Sequence, residues 1–143
     1  MLTVDTAELE LMEVWLDSDP EHQRLRVTFP INKWAGSRDS AVVYFEIEPG
    51  NRLAPHTDSA EEILYLISGE AEAQVGEERG RLAAGDLAVI PAMVPHGLVN
   101  TGDETLKVVG FFSEAEIVSS FDEPIQPIGA AVLTQGAPAP VSA

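Results

Sequence analysis

Two histidines and two carboxylates at short, regular spacing stand out in the middle of the sequence. His56 and His96 each follow a proline, and Asp58 and Glu62 lie between them. Imidazole nitrogen combined with carboxylate oxygen suits a divalent first-row metal. The chain contains no cysteine, so histidine, aspartate and glutamate would have to hold any metal. These four residues are the candidate metal ligands.

The spacing of the four donors predicts that they converge on one point. Residues two apart on an extended segment point the same way, so His56 and Asp58 share a face. Glu62 begins a following strand and shares its face with Leu64, and His96 comes from a third segment. Four protein ligands on an octahedral metal would leave two positions for water, dioxygen or a bidentate substrate.

The elements that would position these donors are short β-strands. Turn residues separate apolar segments about every ten positions, which is typical of an all-β sandwich or barrel. Residues 113–120 are compatible with a helical turn, and residues 3–16 allow either a short helix or a strand at 14–16. The predicted strands are 24–29, 41–48, 62–67, 71–75, 81–83, 87–90, 97–100 and 106–112.

Composition and charge restrict the class of protein. With 143 residues, of which 45% are apolar, the chain fits one globular domain. Its 24 acidic and 8 basic residues give a formal net charge of −16, which argues against nucleic acid and anionic membranes as partners. No apolar run approaches the roughly 20 residues needed to span a bilayer. Acidic residues within 1–10 argue against a signal peptide, so we expect a cytoplasmic protein with a small-molecule substrate.

The spacing of glycines, prolines and donors resembles the two characteristic motifs of the cupin superfamily. Asp58 stands where the family usually has a second histidine and Met93 where it has a glycine, while the other eight of ten motif positions agree. Fifteen residues separate the two motifs. The first motif consists of Gly50, His56, Asp58, Glu62 and Gly69, and the second of Gly85, Pro91, Met93, His96 and Asn100.

This resemblance implies a fold, a metal and an assembly. The fold would be a double-stranded β-helix, or jelly-roll, barrel over residues 24–133, with an N-terminal extension at 1–23 and a disordered tail at 134–143. His56, Asp58, Glu62 and His96 would hold one divalent transition metal. Two anionic ligands favour Fe(II) first and then Mn(II), Ni(II) or Zn(II), and disfavour copper. Small cupins are commonly dimers, so we expect a homodimer.

The aspartate in place of a histidine leaves the ligand set open. Asp58 is shorter than histidine and can also bind through water, orient a substrate, form an Asx turn or pair with Arg52. A second arrangement uses only His56, Asp58 and His96, which would resemble the facial triad of the 2-oxoglutarate oxygenases. Lys107 would then pair with a carboxylate of the co-substrate.

The superfamily hosts several reaction classes, so the fold does not select one. Our first expectation is an enzyme for oxygen-dependent oxidation of the dioxygenase type, with Glu62 serving as ligand and base. The alternatives are Lewis-acid chemistry by a lyase, isomerase or decarboxylase, and a binding or sensor module without catalysis. Arg52 is the candidate anion-binding group. The candidate substrate pocket consists of Phe45, Ile47, Arg52, Leu64, Met93 and Leu98.

Overall fold

Antiparallel strands form one long sheet that curls on itself. The computed structural model describes residues 1–138, which contain twelve strands and a short 3-10 helix at Thr6–Glu8. The strands are β1 (Met12–Leu16), β2 (Arg24–Ile31), β3 (Ala41–Ile47), β4 (Arg52–Asp58), β5 (Glu62–Ser68), β6 (Glu70–Val75), β7 (Glu78–Ala83), β8 (Leu87–Ile90), β9 (His96–Asn100), β10 (Leu106–Phe112), β11 (Ile117–Gln126) and β12 (Ala130–Gln135). Their order is β7-β6-β9-β4-β11-β1-β2-β3-β10-β5-β8, with β12 paired to β11.

Alternating burial along the strands shows which face of the sheet encloses the core. In β5 the side chains of Glu62 and Leu64 are buried, while those of Ile63 and Tyr65 between them are exposed. This period of two places a continuous apolar cluster inside the curled sheet. The predicted all-β jelly-roll class is confirmed.

The structure corrects three local predictions. Residues 113–120 form no helical turn, because bends at 113–116 lead into β11. Residues 3–16 contain both a single 3-10 turn at Thr6–Glu8 and the strand β1. The strands β4, β11 and β12 were not among the predicted ones. The strands β8 and β10 have the predicted bounds.

The two ends of the chain are more closely tied to the sheet than the sequence suggests. β1, within the predicted extension 1–23, pairs with both β2 and β11. β12 continues to Gln135, so Thr134 and Gln135 lie in a strand and not in a tail. Residues 139–143 of the predicted tail lie outside the described residues. No helix within residues 1–138 is long and apolar enough to cross a membrane.

Candidate metal centre

The pairing of β4 with β9 brings the two histidines together. His56 and His96 are directly opposite in the register, beyond an irregularity that follows Leu53. Their ring centroids are 4.3 Å apart. Gly97 permits this close approach, since a Cβ there would lie 2.8 Å from the carbonyl oxygen of Leu53. Both imidazoles are buried inside the barrel.

Backbone carbonyls fix the orientation of both imidazoles. His56 Nδ1 lies 2.8 Å from the carbonyl oxygen of Ala54, and His96 Nδ1 lies 2.9 Å from that of Val94. A carbonyl only accepts hydrogen bonds, so each Nδ1 must carry the proton and donate. In its neutral form, each ring then directs an unprotonated Nε2 away from the backbone, which is the usual arrangement of a metal-binding histidine. His96 Nε2 is buried and has no hydrogen-bond partner among the described residues.

One oxygen of Asp58 faces both of these nitrogens. Asp58 Oδ2 is 3.5 Å from His56 Nε2 and 3.1 Å from His96 Nε2, and Asp58 Oδ1 accepts a 2.6 Å hydrogen bond from Ser119 Oγ. Neighbouring ligands of a metal with bonds of about 2.1 Å lie about 3 Å apart. The buried cluster of His56, Asp58 and His96 therefore fits a divalent metal site.

Glu62 lies at the edge of this cluster. Its Oε1 is 3.7 Å from His96 Nε2. The donor atoms of His56, Asp58 and His96 all lie within 4.8 Å of one another, and Glu62 does not belong to this group. The carboxylate occupies space left free by Gly110 on the adjacent β10, because a Cβ at Gly110 would overlap Glu62 Oε2. Glu62 thus stands beside the three other donors as a fourth ligand or as an acid–base group.

Burial and mutual charge shift the pKa values of the cluster in opposite directions. Burial alone would raise the pKa of Asp58, but His56, His96 and Ser119 hold that pKa well below its usual range. Burial and, to a lesser extent, the charge of Asp58 together raise the pKa of Glu62 to about 8 against the effect of His96. Burial would lower the pKa of His96, yet Asp58 outweighs it and the pKa is raised. The two carboxyl groups therefore differ in protonation at neutral pH.

A cavity of about 90 Å³ adjoins the cluster. Phe45, Arg52, Leu64 and Leu98 of the predicted pocket line it together with the four predicted ligands. The Arg52 guanidinium also donates a 3.1 Å hydrogen bond to Asp19, so its charge is already partnered.

Two residues of the predicted pocket lie elsewhere. Ile47 is fully buried in the apolar core but is not among the residues that line the cavity. Met93 is 61% exposed in the turn before β9 and has a positive φ of 63°, at the position where the cupin motif has glycine. Its backbone N–H donates to the carbonyl of Asp58, which ties the turn to β4. Lys107 is opposite Glu46 and also does not line the cavity.

Three residues of the site were not predicted from the sequence. Ser119 anchors Asp58, Gly110 accommodates Glu62, and Phe121 stacks on His56 with ring centroids 4.6 Å apart. A glycine inside a strand is a known sign of close approach, so Gly110 carried a usable signal. Ser119 and Phe121 reach the site only because β11 pairs with β4, which no local pattern indicates.

Comparison with known families agrees with this fold. A cupin domain model matches residues 43–112, which include all four predicted ligands. The chain therefore belongs to the cupin superfamily. None of the curated proteins compared matches the sequence.

Several solved structures share the fold at low sequence identity. A predicted oxalate decarboxylase from Thermotoga maritima is 18% identical, with a TM-score of 0.67 over 79% of this chain and 99% of its own. The polyketide cyclase RemF from Streptomyces resistomycificus is also 18% identical, with a TM-score of 0.63 over 78% of each chain. Oxalate decarboxylase from Bacillus subtilis, which has Mn(II) centres, is 24% identical, with a TM-score of 0.58 over 69% of this chain and 28% of its own. The chain spans only 27% and 31% of two other oxalate decarboxylase chains that it matches.

Proposed function

We propose that this protein is a metal-dependent enzyme that acts on a small molecule and binds its metal through His56, Asp58 and His96. The orientation of the imidazoles supports this most strongly. Both rings donate Nδ1–H to a backbone carbonyl and direct Nε2 towards the same Asp58 oxygen. His96 Nε2 is buried with no hydrogen-bond partner in residues 1–138, which is an unfavourable arrangement that coordination of a metal would relieve.

The ligand types indicate which metal and which reaction the site favours. A bound divalent metal would supply Lewis acidity and, as iron, would also activate dioxygen. Two histidines and one carboxylate favour Fe(II), followed by Mn(II), Ni(II) or Zn(II). The Mn(II) centres of the Bacillus subtilis decarboxylase support Mn(II) as the second choice. Oxygen-dependent oxidation is our first proposal for the reaction.

Glu62 supports a second reaction class. With its pKa raised to about 8, a buried Glu62 carries a proton at neutral pH and can donate it to a neighbouring group or take one up again. An acid–base group beside a Lewis acid is what a lyase, isomerase or decarboxylase needs. A bound cation would lower this pKa, so Glu62 would then serve as a base or as a fourth ligand.

Two further proposals concern the partners of the protein and its location in the cell. A net charge of −16 disfavours contacts with nucleic acid and with anionic membranes, since both carry negative charge. We propose that the protein acts in the cytoplasm on a small molecule. Fractionation of cells that express a tagged chain tests the location directly.

Metal stoichiometry tests the proposed site. Protein purified without a histidine tag and reconstituted with Fe(II), Mn(II), Ni(II) or Zn(II) should retain close to one metal per chain. His96→Ala should lose that metal and remain folded, because it removes one of three ligands. His22→Ala is the matched control, since His22 is exposed and pairs with Asp19 on the surface. A wild-type protein that retains no metal, or a His96→Ala variant that retains all of it, contradicts the site.

Oxygen uptake separates the two reaction classes. The metal-loaded protein is screened in an oxygen electrode against catechols, diketones and flavonoids, with and without 2-oxoglutarate. Oxygen consumption that depends on both substrate and metal supports the oxidation. Substrate loss without oxygen consumption supports the Lewis-acid alternative, and tight binding without turnover supports a binding module.

A further inference from the structure

The walls of the cavity are mainly apolar. Of the 29 residues that line it, eight have polar side chains. Five of these eight belong to the metal centre or anchor it, and the other three are Gln23, Arg52 and Gln135. All three are only half buried. The rest of the lining is apolar, so a substrate in the cavity meets apolar side chains, which include the buried Phe45 and Leu64.

The charges around the cavity are unfavourable for an anion. Asp58 and Glu62 line it and are both buried. Among the described residues that line it, Arg52 is the single arginine or lysine, and Asp19 already pairs with it at 3.1 Å. In the metal-free site, transfer of a dianion carries a desolvation cost that no unpaired lysine or arginine among the described lining residues offsets.

The dimensions of the cavity fit a molecule with one ring. Its volume is about 90 Å³. A single water needs roughly 10 to 15 Å³ of such space, so the cavity has room for about six to nine waters. An apolar cavity of about 150 Å³ is known to bind benzene, so this smaller cavity has room for no more than one ring.

We propose that the substrate is a neutral, ring-bearing molecule whose apolar body fills this cavity and whose oxygen atoms reach His56, Asp58 and His96. A small dicarboxylate or a sugar phosphate lacks the apolar body and carries charge that no unpaired lysine or arginine among the described lining residues neutralises. The contact with the metal ligands rests on the proposed function. The apolar body rests on the cavity walls alone, so the two parts can be tested separately.

Titrations of metal-free protein test the cavity. Phenol serves as a neutral ring and oxalate as a small dianion, and both are added to ¹⁵N-labelled protein treated with a chelator. We expect phenol to shift the amide signals of Val43, Phe45 and Leu64 saturably and oxalate to leave them unchanged. Absence of phenol shifts, or equal shifts with oxalate, overturns the proposal. This result does not depend on whether the chain binds a metal.

A pair of valine variants locates the phenol site. Val27 lines the cavity, whereas Val89 is 60% exposed on the outer face of β8. Val27→Thr adds a hydroxyl to the cavity wall with little change in volume and should weaken phenol binding at least threefold, while Val89→Thr should not. Equal affinities for both folded variants contradict the location. If Val27→Thr does not fold, the comparison of phenol with oxalate in the wild-type protein still tests the proposal.

Zinc-loaded protein links the cavity to the metal centre. After elemental analysis has established the zinc content, catechol and oxalate are titrated in turn. We expect catechol to bind at least tenfold more tightly than phenol binds the metal-free protein, and more tightly than oxalate. Preference for oxalate overturns the proposed substrate class. Failure to bind zinc or any other metal contradicts the proposed function but leaves the phenol result valid.

Discussion

At the scale of single residues, Ser119 determines how Asp58 meets the two histidines. An aspartate carboxylate can rotate about its terminal bond, and either oxygen can face the cavity. The 2.6 Å hydrogen bond from Ser119 Oγ holds Oδ1, so Oδ2 remains for His56 and His96. Partners of this kind commonly control the affinity of a metal site as strongly as some ligands do.

Removal of this hydroxyl should weaken metal binding without abolishing the fold. For Ser119→Ala we expect metal affinity to fall by about 10-fold to 100-fold, because Asp58 loses its fixed orientation. Ser119→Thr retains the hydroxyl and should recover part of the affinity. Competition with a chromophoric chelator measures each value.

The neighbouring serine provides the control for this effect. Ser120 lies on the same strand but points to the other face, where it is half buried and away from Asp58. Ser120→Ala should therefore bind metal like the wild type. Equal affinities for all three serine variants and the wild type would contradict a role of the Ser119 hydroxyl in orienting Asp58 for metal binding.

The same serine illustrates what sequence reasoning could and could not find. The positions of His56, Asp58, Glu62 and His96 were identified from spacing within 41 residues of chain, and the structure places them around one cavity. Ser119 lies 61 residues from Asp58 and belongs to no local motif. The hydrogen bond between them depends on the pairing of β11 with β4, which is a property of the whole barrel.

At the scale of strands, alternation of apolar residues predicted some elements and missed others. β8 and β10 have regular apolar patterns and were predicted with their observed bounds. β11 was missed because its inward positions include a serine, Ser119, that serves the site instead of the core. β4 was missed as a strand for the same reason, since His56 and Asp58 occupy inward positions. Local rules fail here where side chains serve chemistry.

The approach of β10 to β5 offers a test at this scale. Glu62 on β5 fills the space above Gly110 on β10, where a Cβ would also lie 2.7 Å from Val43 Cγ1. Gly110→Ala should lower the free energy of unfolding by about 1 to 3 kcal/mol, because overpacking displaces Glu62 or the strand. Chemical denaturation measures this change.

A second glycine in a strand is the matched control. Gly80 on β7 has no atom within 4 Å of an added Cβ. Gly80→Ala should therefore leave the free energy of unfolding unchanged or raise it by up to about 1 kcal/mol. Equal stability of both variants would show that Glu62 can leave the space above Gly110 at no cost.

At the scale of the whole molecule, the outer face of β10, β5 and β8 carries an apolar surface. Phe111, Ile63 and Val89 form one row across these strands in the register. Tyr65 and Leu87 belong to the next row, and all five side chains are between 38% and 68% exposed. β8 is also the last strand of the sheet order, so one of its edges has no neighbour among the described strands. Exposed apolar surface beside a free edge is typical of an interaction site.

The homodimer expected from the sequence stays a prediction, and we expect its interface on this surface. Two chains that each carry a net charge of −16 repel each other. The five exposed side chains of this surface are uncharged, so the surface is locally neutral where a second copy would bind. Sedimentation equilibrium should show a dimer that tightens as added salt screens the repulsion. Leu87→Glu should shift it to monomer, whereas Val132→Glu, at a similarly exposed valine on β12, should not. A wild-type monomer at all concentrations contradicts the dimer, and equal dissociation by both variants contradicts this surface as its interface.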